Sequence, residues 1–353
     1  MNNIEKFKQS VRWDHWAQGK VPLFCMIIFY LILKQSLYSA QTIIQFIIFL
    51  IFISLVSIYG YLINDLFDME IDRKQGKKNV FEKVGKLRGS LIVFLIFSIG
   101  AMFGSYFLSK AYFPYFLIVI FFFATFYSAP PIRFKERGIT GLFVAFCTQY
   151  PIPVILVFSV FGSFGTIDMW IFILFAAVTG ATLEIGHQRY DLQRDSSTET
   201  KTFAVRQGHS KIDRIYKVFV YLDMIAIMGM LITMYFELRL VDIFGQLNVM
   251  LPLLLIYMFL GLMVVMKIIK EKKTVEDPYY VEGRNDIINI TYTLFPNFFL
   301  PFYLACVAFV NYNLFFVFIA IFMLFTFVNF PKANILQQIS LVYNALRTSI
   351  SKG

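Results

Sequence analysis

Charge is scarce in this chain. Asp, Glu, Lys and Arg make up 15% of its 353 residues, whereas a soluble domain has about 25% charged residues. The hydrophobic share is 58% and the mean hydropathy is +0.68. This composition argues against a soluble globular protein.

Cysteine and histidine are also rare, with three of each. Cys25, Cys147 and Cys306 lie in apolar stretches and lack the spacing of a metal site or a disulfide framework. We therefore predict that they are small apolar filler. The histidines, at positions 15, 187 and 209, are too scattered to predict a zinc site.

What the sequence has instead is a series of long apolar stretches. A helix needs about 20 apolar residues to cross the bilayer core, and a helix satisfies its own backbone groups there. We predict an all-α, polytopic transmembrane helical bundle of nine to ten spans, with cytoplasmic loops capping a central cavity. The ten candidate spans are 21–38, 42–63, 90–109, 112–128, 139–158, 168–186, 215–236, 247–267, 287–310 and 314–330.

The basic residues are sorted between the two ends of these spans. Of the 32 Lys and Arg residues, 29 fall at one end, and Lys34, Lys110 and Arg239 fall at the other. Cytoplasmic loops are enriched in Lys and Arg, so both termini and the basic loops are predicted to be cytoplasmic, in a cell or inner membrane. The net charge of +10 is then a topology signal, and no nucleic-acid partner is predicted.

The chain contains no obvious linker or separate soluble domain, so residues 1–353 are predicted to form a single membrane domain. The N-terminal segment is too polar and too aromatic for a cleaved signal peptide. Residues 331–353 include apolar residues at helical spacing, which predicts an amphipathic tail at the membrane interface.

A first acidic cluster follows the second span, with the pattern N-D-x-x-D-x-x-x-D over residues 64–72. On a helix, Asn64, Asp68 and Asp72 lie on one face, and Asp65 is offset from Asn64 by about 100°. Amide and carboxylate oxygens are ligands that Mg²⁺ accepts. We predict all four as metal ligands, and Asp68 and Asp72 also as catalytic residues.

A second acidic cluster follows the sixth span at the same side of the membrane. Asp191 and Asp195 are four residues apart and are predicted to be metal ligands and catalytic residues. Carboxylates at the mouth of a membrane bundle are costly unless they bind something positive. Two such faces across the bundle would hold a diphosphate through metal ions. Ordinary solvated helix ends are the alternative.

A basic segment follows the fourth span, within residues 127–138. Arg133, Lys135 and Arg137 alternate along it, and on an extended segment they would point the same way. That arrangement suits contact with phosphate. The alternative is that these cations only mark the cytoplasmic side.

In this order and spacing, over roughly residues 12–215, the motifs resemble the UbiA superfamily of intramembrane prenyltransferases. The resemblance rests on the first acidic motif, on Y-S-x-P-P-x-R-x-K at 127–135, and on D-x-x-x-D at 191–195 followed by T-F-A-V-R-x-G at 202–208. It implies that Mg²⁺ and the two aspartate motifs bind a prenyl diphosphate whose tail enters an apolar cavity. A lipophilic or aromatic acceptor then attacks.

The resemblance assigns the metal and diphosphate roles to Asn64, Asp68, Asp72, Asp191 and Asp195. The predicted substrate-binding residues are Asn64, Lys20, Tyr127, Arg133, Lys135, Lys201 and Arg206.

The sequence leaves the reaction partly open. Many members with aromatic acceptors have an Arg-Pro-rich run where this chain has residues 77–81, Lys-Lys-Asn-Val-Phe. Transfer from a phosphoribosyl-type donor onto polyprenyl phosphate and cyclisation of the donor need the same metal site. A cation-coupled transporter is the alternative outside enzymes, but its acids should lie near the midplane. Glu184, Asp223 and Asn297 either line the cavity or pack between helices.

Overall fold

The computed structural model describes residues 3–17, 19–74, 76–197, 200–239, 242–243, 247–271, 278–279 and 287–311, and there the chain is a bundle of helices. Seven helices in the described part are long and apolar enough to span a membrane: Ala40–Lys74, Lys86–Ser105, Ile139–Phe161, Ile167–Tyr190, His209–Glu237, Leu251–Lys270 and Ile287–Ala308. The chain is an integral membrane protein, and the predicted all-α class is confirmed. The predicted span 314–330 and the tail 331–353 lie outside the described residues.

The helices of the described part are named here in chain order. They are α1 (Asn3–Ser10), α2 (Trp13–Trp16), α3 (Lys20–Gln35), α4 (Ala40–Lys74), α5 (Lys86–Ser105), α6 (Phe113–Ser128), α7 (Ile139–Gln149), α8 (Pro151–Phe161), α9 (Ile167–Tyr190), α10 (Leu192–Ser197), α11 (Phe203–Gln207), α12 (His209–Glu237), α13 (Leu251–Glu271), α14 (Ile287–Asn289) and α15 (Leu300–Asn311). A 3₁₀ turn spans Phe134–Glu136, and a π-helix spans Ile290–Phe299. A two-residue antiparallel pair, β1 (Asp242–Ile243) and β2 (Leu247–Asn248), lies between α12 and α13.

Two proline residues shape the spans that we predicted as single helices. The fifth span is divided at Tyr150 into α7 and α8, and Pro151 begins α8. Proline is favoured at the first position of a helix, because the backbone N–H that it lacks would have no partner within the helix. Pro296 lies inside the π-helix of the ninth span. Proline removes a helical hydrogen bond, and wider helical turns often occur at functional sites.

Neighbouring spans approach closely where one of them has a glycine. α12 packs along α9, and α4 packs along α5. A side chain at Gly104 would lie 2.9 Å from the ring of Phe52, and one at Gly180 would lie 2.7 Å from the ring of Tyr150. Small residues allow such contacts between membrane helices. A large cavity lies inside the described part of the bundle.

We call the end of the bundle where α4 and α9 finish the motif end, and the opposite end the distal end. At the distal end, Lys34 joins three helices: its Nζ lies 2.8 Å from Asp168 and 2.7 Å from Glu237. Tyr30 also donates a hydrogen bond to Asp168, at 2.7 Å. The Asp168 carboxylate is 1% exposed, so it depends on these partners.

We expect Lys34→Met to lower the melting temperature of the protein in detergent by on the order of 5 °C, because it leaves a buried carboxylate without its cation. Lys110→Met is the matched control. Lys110 lies at the same end and donates to one backbone carbonyl, that of Val160. Equal melting temperatures for both variants would contradict a stabilising role for the Lys34 network.

Candidate active site

α4 carries the first acidic motif on its last turns, without a break after the membrane-spanning part. Asn64, Asp68 and Asp72 face one cavity, as their helical spacing predicts. Asp68 is 6% exposed and Asp72 is 9% exposed. The Ser128 hydroxyl donates to Asn64 Oδ1, and Asn79 Nδ2 donates to Asp72 Oδ2 at 2.7 Å. Side chains from other segments therefore fix two of the three.

Two cations from the segment after α6 hold Asp68. Arg133 Nη2 lies 3.0 Å from Asp68 Oδ1, and Lys135 Nζ contacts Oδ2. Our prediction of an extended segment is wrong, because Phe134–Glu136 forms a 3₁₀ turn and Arg133 has a φ of 45°. The turn brings Arg133 and Lys135 to one carboxylate and leaves Arg137 exposed, donating to a carbonyl of its own segment.

Asp65 is directed away from the cavity that Asp68 faces. Arg12 binds it through two hydrogen bonds, from Nε at 2.8 Å and from Nη2 at 3.0 Å. The offset of about 100° from Asn64 is enough to turn the carboxylate toward the N-terminal segment. Asp65 is therefore not among the residues that line the cavity, and the ligand set proposed below leaves it out.

The second motif begins where α9 ends. Asp191 caps α9, and the backbone N–H of Asp195 donates to the carbonyl of Asp191 at 2.9 Å, so helical spacing continues across the junction. Both side chains face the cavity. Lys77 Nζ lies 3.8 Å from Asp191 Oδ2, and Arg194 Nη1 lies 3.0 Å from Oδ1. The loop after α4 thus reaches the second motif.

Burial disfavours the charged form of two titratable groups at this rim. It raises the pKa of the Asp195 carboxyl, and the neighbouring charge of Asp191 raises it further. It lowers the pKa of the Lys135 ammonium, despite the opposing effect of Asp68. Each group would be stabilised in its charged form by a ligand of opposite sign.

The other predicted substrate-binding residues divide into two groups. Lys20 and Tyr127 line the cavity, and the Lys20 ammonium donates to Tyr61 Oη at 2.9 Å and to an amide oxygen at 2.7 Å. Lys201 is exposed, and Arg206 donates to the backbone carbonyls of Lys201 and Glu136. The structure does not bring Lys201 or Arg206 into the cavity wall, because Arg206 ties two loops together.

The cavity has a volume of about 680 Å³, within the range of about 300–1,000 Å³ for ligand sites. Its rim, at the motif end, consists of Asn64, Asp68, Asp72, Lys77, Lys135, Asp191 and Asp195. Its deep wall is apolar and includes Leu23, Phe24, Ile53, Val56, Ile120, Phe175 and Ile227. The site therefore has a charged mouth and a chamber that suits hydrocarbon.

Sequence reasoning missed several polar cavity residues. Tyr61 lies three residues before Asn64 and Gln188 four after Glu184, so helical spacing alone would have found both. Gln149 precedes the break between α7 and α8 and belongs to no motif; we see no sequence signal for it. The sequence left open whether three polar residues line the cavity or pack between helices. Glu184 and Asn297 line the cavity, whereas Asp223 accepts hydrogen bonds from Thr179 and Tyr279.

Gly141, on α7, underlies the turn that carries Arg133 and Lys135. A Cβ atom there would lie 2.3 Å from the backbone oxygen of Phe134. We expect Gly141→Ala to displace the turn and to weaken binding of an anionic ligand at the rim by about 10-fold, since a charge-assisted hydrogen bond contributes about 1.5–3 kcal/mol. Titration with a diphosphate measures the loss of binding.

Gly229→Ala is the control, because nothing lies within 4 Å of a Cβ atom at that position of α12. Equal binding by the two variants would contradict the coupling of Gly141 to the rim.

The rim residues fit Mg²⁺ by their chemistry. Their carboxylate and amide oxygens are hard ligands of the kind that Mg²⁺ prefers. Among the described residues, no three His, Cys, Asp or Glu side chains form a ready-made metal cluster.

Comparisons with known proteins agree with this architecture. The model of the UbiA prenyltransferase family matches residues 23–280. No curated protein gives a match to the sequence.

Several solved structures share the fold. A UbiA homologue from Archaeoglobus fulgidus bound to GPP and Mg²⁺ has a TM-score of 0.56 at 16% identity, over 86% of this chain and 99% of that one. The same homologue bound to DMAPP and Mg²⁺ has a TM-score of 0.53 at 15% identity, over 93% and 100%. A digeranylgeranylglyceryl phosphate synthase has a TM-score of 0.50 at 16% identity, over 90% and 98%. At these identities, the likeness establishes a shared fold.

Proposed function

Because the chain belongs to the UbiA prenyltransferase family, we propose that it is a Mg²⁺-dependent enzyme that transfers a prenyl group within the membrane. The donor is a prenyl diphosphate, and the acceptor is a lipophilic or aromatic molecule. One observation carries the proposal: both aspartate motifs lie at the rim of a single cavity whose deep wall is apolar. The homologues with bound GPP and DMAPP support it.

We assign the Mg²⁺ ligands to Asn64, Asp68, Asp72, Asp191 and Asp195, which all face the cavity. When bound, Mg²⁺ supplies positive charge to the diphosphate and thereby helps it to leave. Lys135 contacts Asp68 at the rim and is placed to bind phosphate oxygens beside the metal. Lys20 and Arg133 supply further positive charge nearby.

The deeper wall protects the other product of C–O cleavage, an allylic carbocation. Apolar side chains exclude water, which would otherwise capture the cation. Tyr61 and Tyr127 line the cavity next to the rim, and aromatic faces attract cations. The chain thus separates the anionic leaving group from the hydrocarbon by placing them in different parts of one cavity.

We also propose that the rim faces the cytoplasm, where soluble prenyl diphosphates and Mg²⁺ are available. The support is the positive charge around the motif end, since 29 of the 32 Lys and Arg residues belong to that side. The two buried carboxylate motifs lie at helix ends rather than midway along α4 and α9, which does not favour a transporter.

The test is diphosphate release by purified full-length protein in nanodiscs, with lipid extract from the source membrane as acceptor. We expect release from dimethylallyl, geranyl or geranylgeranyl diphosphate that depends on Mg²⁺ and yields a prenylated lipid. Phosphoribosyl diphosphate as the best donor, or a cyclic product without acceptor, would replace the proposal with one of those reactions. Absence of both release and Mg²⁺-dependent donor binding would contradict the whole class.

A further inference from the structure

A second polar layer lies in the cavity below the charged rim. We call it the polar collar and define it as Lys20, Tyr61, Gln149, Glu184 and Gln188, which all line the cavity. Lys20 joins α3 to α4 and α7, with hydrogen bonds to Tyr61 at 2.9 Å and to Gln149 at 2.7 Å. On α9, Gln188 Nε2 donates a hydrogen bond to Glu184 Oε1 at 3.0 Å.

The depth of the collar follows from helix geometry. Glu184 lies seven residues before Asp191, so it faces the same way within about 20° and lies about 10 Å deeper along α9. The ring of Tyr150 packs against Gly180, one turn from Glu184. This contact places Gln149, the residue before Tyr150, within about one turn of that depth, at the end of a helix that packs beside α9. The collar therefore separates the rim from the apolar chamber.

Glu184 is the acidic member of the collar, whereas the other acidic residues that line the cavity belong to the rim. The rim carboxylates Asp68 and Asp191 are in contact with cations. Within the described residues, the hydrogen bond of Glu184 comes from a neutral amide, and no described Lys or Arg pairs with it. Glu184 is half-buried, and an ionisable side chain that faces the interior cavity of a membrane bundle is by default a candidate functional group.

Position and chemistry together assign a role to this carboxylate. A diphosphate held at the rim places the reacting C1 carbon of its prenyl chain just below it, at the level of the collar. Lys20 as an ammonium cannot accept a proton, and the amides of Gln149 and Gln188 are very weak bases. His187 lies near the rim and is 57% exposed, beside Asp191. Among these collar side chains, the Glu184 carboxylate is the one suited to accept a proton.

We propose that Glu184 is the general base that takes the hydroxyl proton of the acceptor, and that the acceptor is consequently an alcohol or a phenol. This inference rests on the proposed function. The C1–O bond to diphosphate breaks, and its electron pair leaves with the diphosphate. The acceptor oxygen, or the ring carbon that its deprotonation activates, forms the new bond to C1. The proton passes to the Glu184 carboxylate.

The test is Glu184→Gln in full-length protein in nanodiscs, with geranyl diphosphate, Mg²⁺ and the lipid extract as acceptor source. We expect the rate of prenylated-lipid formation to fall by at least about 100-fold, the usual contribution of a general base. Mg²⁺-dependent binding of geranyl diphosphate and its slow hydrolysis by water should stay within about twofold of wild type, and Glu184→Asp should recover part of the transfer rate.

Thr148→Val is the matched control. Thr148 lines the same cavity, and its hydroxyl is satisfied by the carbonyl of Val144 at 2.6 Å, so this isosteric variant should transfer at the wild-type rate. Unchanged transfer in Glu184→Gln would overturn the assignment, as would loss of donor binding in that variant. Wild-type protein that binds no donor would instead overturn the proposed function itself.

Discussion

Asp68→Asn should reduce diphosphate release by at least about 100-fold, because the variant removes an anion from the point where metal and phosphate meet. The amide also removes the carboxylate that Arg133 and Lys135 now share, so Lys135 loses its anionic contact and Arg133 keeps only Glu136. We expect Mg²⁺-dependent donor binding to weaken together with turnover. Diphosphate release and a metal titration measure the two effects separately.

Glu70→Gln supplies a matched control for this change. Glu70 lies two residues away on the same helix, is exposed, and does not line the cavity. Both variants remove one negative charge from α4, and both should keep the wild-type melting temperature within a few degrees. Full activity of Asp68→Asn would remove the first motif from the metal site.

Lys135→Met should raise the KM for the prenyl diphosphate by on the order of 10- to 100-fold, the range expected for a charge-assisted hydrogen bond in a buried site. Burial already lowers the pKa of this ammonium, so its charge has few solvent contacts to lose when a diphosphate binds. We also expect kcat to fall, because the leaving group loses a positive neighbour.

Arg137→Met separates this effect from a general loss of positive charge. Arg137 belongs to the same segment, but it is exposed and donates to a backbone carbonyl. The KM of the Arg137→Met variant for the prenyl diphosphate should remain within about twofold of wild type, since exposed charges contribute little to binding. If Lys135→Met and Arg137→Met changed KM equally, long-range attraction rather than contact would explain the binding.

The sequence predicted those parts of the site that depend on a single helix. Asn64, Asp68 and Asp72 share a face because α4 is regular, and a period of 3.6 residues is enough to predict that. The helical period does not determine the direction of a side chain that is offset by one residue. Asp65 was expected near that face, but it binds Arg12, which lies 53 positions away in the sequence. No local pattern encodes such a contact.

Parts of the site that depend on several segments were not predictable. The turn that carries Lys135 follows two prolines and the left-handed residue Arg133, whereas the alternation of cations suggested an extended segment. The polar collar joins α3, α4, α7 and α9, and no sequence pattern points to Gln149. The predicted roles of the rim residues remain proposals, whereas their shared location is a structural observation.

The unbroken course of α4 determines which changes of chain length the protein can tolerate. Insertion of one residue between the middle of this 35-residue helix and Asn64 would rotate the whole first motif by about 100°, away from the cavity. The second motif has no such constraint on its C-terminal side, because the described residues 200–202 before α11 are not helical and loops absorb insertions. Natural length variation should therefore accumulate after Asp195 and be excluded from α4.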